Sequence, residues 1–162
     1  MVTKIKKIFF LTDLSEQSQK ELTYAASLAD VYGASITVLH AFEIQSPNAA
    51  LIASAYLGYT STDEFKEKRE ADLVDEIKSR IKQTCDDIGC QFPACRFSID
   101  QIIVETGRTN DIILQHVKKN DFDMIVMGSH SGIKDAILGG TAKKVIRYSR
   151  KPVLVVPLDR NN

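Results

Sequence analysis

Short apolar runs alternating with helix-period stripes constrain this chain more than any other feature. The runs at Lys7 to Thr12, Ser35 to Ala41, Cys95 to Glu105, Asp123 to Met127 and Val153 to Pro157 have the length and residue types of strands. Ile8-Phe9-Phe10-Leu11 is apolar without a break, which predicts a strand buried on both faces. Between the runs, apolar residues recur at three- and four-residue spacing, as in Leu22, Ala25, Ala26, Leu28 and Ala29. Strands and helices in alternation predict parallel strands joined by right-handed crossovers.

The helix boundaries follow from local chemistry. Ser15 or Ser18 is the expected cap of the first helix, with Glu21 three residues after Ser18 as in a capping box, and Gly33 ends it. Residues 43–60 show no clean period and contain Pro47, Asn48 and Gly58, so they are expected to be a long, mobile or partly helical excursion. A charged helix is expected from about Asp63 to Asp87, with Phe65, Leu73, Val74, Ile77 and Ile81 on one face, and with Gly89 and Pro93 breaking the pattern. Helices are expected again at Asn110 to Lys119 and Thr141 to Ser149. The 162 residues are expected to form one domain, 1–162.

Ligands in such sheets bind beyond the carboxyl ends of strands, where strand order reverses. Strands one, two and four end at Asp13, Ala41 and Gly128, so a shared cleft follows if the first and fourth are neighbours. Gly128 opens a polar loop, and Gly139-Gly140-Thr141 precede the last helix. A strand that delivers a glycine loop to a helix start offers backbone N–H groups to an anion.

The chain resembles the universal stress protein family over nearly its whole length. The matching pieces are Phe10-Leu11-Thr12-Asp13-Leu14-Ser15-Glu16, Gly33-Ala34-Ser35-Ile36-Thr37-Val38-Leu39-His40 and Val104-Glu105-Thr106-Gly107. Asp123-Met124-Ile125-Val126-Met127-Gly128-Ser129-His130 and Lys151-Pro152-Val153-Leu154-Val155-Val156-Pro157 complete the set. The resemblance implies a five-stranded parallel α/β sheet in the order 3-2-1-4-5 with helices on both faces, of the adenine-nucleotide alpha-hydrolase-like kind. It also implies a homodimer, expected through the bare apolar edge Val153 to Val156.

Members of this family that bind ATP carry a loop G-x-x-G, nine residues, then G-[S/T]. Carried over, Asp13 beside Thr12 matches the nucleoside-binding aspartate, whose carboxylate can accept from ribose hydroxyls or the adenine amine. An Asx-type turn at the start of the first helix is an equal reading of Asp13, and both can hold together. Ala41 takes the strand-two position, where only backbone matters. Met127 and Gly128 begin the loop, with His130, Gly132, Gly139, Gly140 and Thr141 as its further candidates and Lys134 as a charge within reach. The loop departs from the pattern, because Ser131 stands where a glycine is expected. Ten residues separate Gly128 from Gly139, where the pattern has twelve. Either Gly139 is the final glycine and Gly140 replaces Ser/Thr, or Gly140-Thr141 is the pair; the loop is shortened in both alignments.

Other classes find little support. Lysine and arginine number 21 and so do aspartate and glutamate, which removes any global field toward nucleic acid or anionic membrane. No run approaches a membrane span, so a cytoplasmic protein is expected. Cys85, Cys90 and Cys95 lack zinc or thioredoxin spacing and read as reduced thiols on a helix end and the following loop. His40, His116 and His130 are scattered, and no metal site is expected. Gly128-Ser129-His130-Ser131-Gly132 places histidine where a nucleophile elbow needs serine. The leading expectation is a regulatory, non-enzymatic stress-response module that binds ATP, with or without Mg2+, as a homodimer. The alternatives are a same-fold scaffold that binds no nucleotide and a slow ATP-hydrolysing enzyme.

Overall fold

The structure, a computed structural model, describes residues 2–129 and 138–157. Five strands, β1 (Lys7–Leu11), β2 (Ser35–Phe42), β3 (Ser98–Thr106), β4 (Met124–Gly128) and β5 (Val153–Val156), form one sheet. Their order is β3-β2-β1-β4-β5, and every pairing is parallel. The expected strand order and alternation of elements are therefore present.

The unbroken apolar run of β1 has a direct cause. Successive side chains of a strand point to opposite faces, so Ile8 and Phe10 enter one core with Leu22, Ala25, Leu73 and Ile77. Phe9 and Leu11 enter the other with Ile112, Ile113, Val117 and Val145. The first core is covered by α1 (Ser18–Tyr32), α2 (Pro47–Leu57), α3 (Thr62–Glu67) and α4 (Glu70–Gln91), the second by α5 (Thr109–Lys119) and α6 (Gly140–Tyr148). The starts of β1 and β4 are tied by Asp123, whose Oδ2 accepts from the Lys6 and Lys7 N–H groups at 2.7 and 2.8 Å. The Lys6 backbone bond in particular holds this carboxyl below the ordinary aspartate range.

The segment between β2 and β3 is more regular than the sequence expectation, and β3 starts at Ser98 rather than Cys95. The excursion at residues 43–60 contains a full helix, α2, which starts on Ser46 with Ala49 N–H donating to Ser46 Oγ at 3.3 Å and Pro47 in its first turn. Proline there lacks only an N–H that the helix could not use, and the small residues Ala49, Ala50, Ala53 and Ser54 blur the apolar stripe. The single charged helix is instead two, because Lys68 and Arg69 are extended (ψ 147° and 145°). Gly89 does not break α4, which runs on to Gln91 with Leu73, Ile77, Ile81, Cys85 and Ile88 buried.

The capping box at Ser18 is also absent. The cap position falls on Gln17 in helical conformation without a side-chain bond, and Ser18 Oγ donates to the Ser15 carbonyl at 2.7 Å. Glu21 is buried, 2% exposed. The left-handed Gly33 (φ 62°) ends α1 as expected. Among the described residues no helix is long and apolar enough to cross a membrane.

Candidate functional site

The direction of strand progression reverses between β1 and β4, and a cleft of about 350 Å³ opens at the carboxyl ends there. That volume lies within the usual range for small-molecule sites, roughly 300–1,000 Å³. Thr12, Asp13, Ala41, Met127, Gly128 and Thr141 all line it. Gly139 and Gly140 begin α6 directly before Thr141, and the helix has no side-chain cap. Its first-turn N–H groups therefore have no side chain of the cap residue to satisfy them, the arrangement that suits an anion. His130, Gly132, Lys134 and Ser131 lie outside the described residues.

The turn after β1 is built by its own side chains. Leu14 N–H donates to Thr12 Oγ1 at 3.1 Å and Ser15 N–H to Asp13 Oδ1 at 2.9 Å. These bonds hold Leu14 at φ 62°, a conformation that costs a leucine about 1–2 kcal/mol. Burial of the Leu14 side chain, 5% exposed, offsets it. The Asx bond of Asp13 is thus present.

His40 closes the turn from β2. Its Nδ1 lies 2.8 Å from the Thr12 carbonyl oxygen, which can only accept, so Nδ1 carries the proton and Nε2 is left as an acceptor. The ring stacks on Phe42 at 5.3 Å. It is a buried, satisfied polar group, and desolvation lowers its pKa below 6.5. The unfolded chain then binds a proton more readily than the folded one as pH drops below about 6.5. Stability should be full above that value and fall below it. Urea unfolding at pH 7.5 and 5.5 should show the loss in the parent and a flatter dependence in His40→Leu; equal slopes would exclude His40 as the cause.

Several cleft residues escape the sequence reading. Glu21 and Glu43 add carboxylates to the lining, while Ser46, Asn48 and Ile52 come from α2 and its cap. Thr109 at the start of α5 donates from Oγ1 to the Ala41 carbonyl at 3.1 Å. The Ser46-Pro47 helix start was the available signal for α2. His116 is not part of the cleft lining; its Nε2 lies 2.7 Å from Glu105 Oε1. Among the described residues no group of three or more His, Cys, Asp or Glu could hold a metal ion, and Cys85, Cys90 and Cys95 are free thiols.

The five-stranded parallel sheet in the order β3-β2-β1-β4-β5, with its cleft at the switch point, is the doubly wound α/β architecture of the adenine-nucleotide alpha-hydrolase-like fold. The model of the Universal stress protein family matches residues 4–157, and the chain belongs to that family. By sequence it is 30% identical to universal stress protein MJ0577 of Methanocaldococcus jannaschii, over 96% of this chain and 97% of that one. It is 28% identical to universal stress protein YxiE of Bacillus subtilis, over 93% and 97%. Superposition on the solved structure of MJ0577 gives a TM-score of 0.67 at 22% identity, over 98% of this chain and all of the other. A universal stress protein solved in complex with cAMP gives 0.61 at 21% identity, over 95% and 98%.

Proposed function

We propose that this chain is a regulatory, non-enzymatic module of the stress response that binds an adenine nucleotide, ATP foremost, and acts as a homodimer. The observation that carries the reading is the convergence of Thr12, Asp13, Ala41, Met127, Gly128 and Thr141 on one cleft at the switch point. The complex of a structurally similar universal stress protein with cAMP supports it. Ribose hydroxyls donate to Asp13, the apolar floor of Leu39, Ala41 and Met127 takes the base side, and the start of α6 faces the phosphates. Nucleotide then holds the glycine loop and α2 in one arrangement that a partner protein reads. The dimer forms through β5, whose outer edge pairs with no strand among the described residues and whose Val153, Leu154 and Val155 are only half-buried.

One observation favours the nucleotide-free scaffold instead. The described lining of the cleft contains Asp13, Glu21 and Glu43 but no lysine or arginine, so phosphate charge falls to the α6 start, to Mg2+ or to residues beyond the described set.

Gly140 separates the two readings. Its φ is not left-handed, it is exposed, and among the described residues no atom lies within 4 Å of where a Cβ would sit. The described part of the fold does not need glycine there, whereas close approach of a phosphate does. Gly140→Val should leave the stability of the free protein within about 0.5 kcal/mol yet weaken Mg-ATP binding roughly tenfold or more. Titration calorimetry checks this. Parent-like affinity in Gly140→Val would remove the α6 start from the site, and no binding by the parent would favour the scaffold.

A further inference from the structure

The floor of the cleft has already spent most of its polar groups on the protein itself. The Leu39 carbonyl accepts from Thr12 N–H at 3.0 Å and the Phe42 carbonyl from Gly107 N–H at 2.9 Å. The Thr12 carbonyl accepts from His40 and the Ala41 carbonyl from Thr109 Oγ1. Ser46 Oγ is engaged by Ala49 N–H. Two side chains at the strand-two end carry no hydrogen-bond partner among the described residues, Glu43 and Asn48. A carboxylate only accepts, whereas a carboxamide donates and accepts at once.

We infer that Asn48, on the first turn of α2, is the residue that reads the hydrogen-bonding edge of the bound base, with Ile52 one helical turn on as the apolar wall beside it. The inference rests on the nucleotide reading above, which puts phosphates at α6 and ribose at Asp13 and so leaves the strand-two and α2 end for the base. Adenine presents N7 as acceptor beside its N6 amine as donor, the pair a carboxamide matches in bidentate fashion. Guanine presents two acceptors on that edge and is left with one unmatched. The helical part of the 43–60 excursion thus becomes the specificity wall of the site.

Titration calorimetry with ATP, GTP and inorganic tripolyphosphate, each with Mg2+, tests this on the full chain. Parent protein should prefer ATP to GTP. Asn48→Ala should weaken ATP about tenfold, the effect of one well-made contact pair, and leave GTP and tripolyphosphate unchanged. Asn48→Asp should lose ATP at least as strongly, because its carboxylate opposes N7. An Asn48→Ala protein that keeps its preference for ATP overturns the assignment, and so does an equal loss for tripolyphosphate, which would mean that α2 shapes the whole cleft. A parent that binds neither nucleotide overturns the underlying reading and this one with it; binding of ATP with no effect at position 48 overturns this one alone.

Discussion

Asp13→Ala should cost about a hundredfold in affinity for Mg-ATP, near 2.7 kcal/mol. Two ribose hydroxyls donating to one carboxylate make hydrogen bonds to a charged group, each worth roughly 1.5–3 kcal/mol. The side chain has a second task, since Oδ1 accepts from Ser15 N–H and helps hold Leu14 at its positive φ. Alanine therefore also loosens the turn, at about 1 kcal/mol. Asp13→Asn separates the roles, because asparagine keeps an Asx turn but loses the charge. It should unfold like the parent and still bind about tenfold more weakly. Calorimetric affinities set beside urea unfolding of both variants decide the matter, and a full-affinity Asp13→Ala would take the carboxylate out of the site.

Phe9→Ala should be the most damaging single change to the fold. Phe9 is 0% exposed in the middle of the central strand, stacked on Phe122 at 4.2 Å with the rings 2° from parallel. Truncation loses the transfer energy, leaves a cavity and abolishes the ring pair, about 3–5 kcal/mol in all. That is a large part of a typical domain's 5–15 kcal/mol, and the melting temperature should fall by roughly 10 °C. The core it opens lies between the sheet and α5 and α6, and α6 carries the start of the site. Nucleotide should accordingly restore part of the lost stability through linkage. A loss below about 1 kcal/mol in urea unfolding would contradict the packing described here.

Much of the fold was legible in the sequence because β1 and β4 are unbroken apolar runs and β5 follows a proline. Their parallel order follows once helices intervene. What stayed hidden lacks strong local signals. Alanine and serine dilute the stripe of α2, so its sequence reads as only partly helical and its bounds stay open. No glycine or proline marks the break at Lys68–Arg69, and the extended backbone there comes from tertiary packing of Phe65, 2% exposed, in the core. Glu21 has the spacing of a capping box, but Ser18 is not the cap: its hydroxyl donates to the Ser15 carbonyl.

The site divides in the same way. Thr12, Asp13, Ala41, Met127 and Gly128 sit at strand ends, which topology places, and these are together in the cleft. Glu43, Asn48 and Thr109 come from connections whose course depends on packing, and no pattern announces them. His130 and Gly132 belong to the stretch outside the described residues, so their part in the site stays a proposal. The two alignments of Gly139-Gly140-Thr141 differ by one residue, and either places Thr141 in the first turn of α6, on the cleft.

Thermal unfolding of the desalted parent protein, with and without millimolar Mg-ATP, tests the central claim most directly. Ligand at about a hundred times its dissociation constant stabilises by about 2.7 kcal/mol. For a chain of this size the melting temperature should rise by roughly 5–10 °C. An unchanged melting temperature, in protein shown to carry no co-purified nucleotide, would contradict the nucleotide reading and leave the β5 edge as the functional surface.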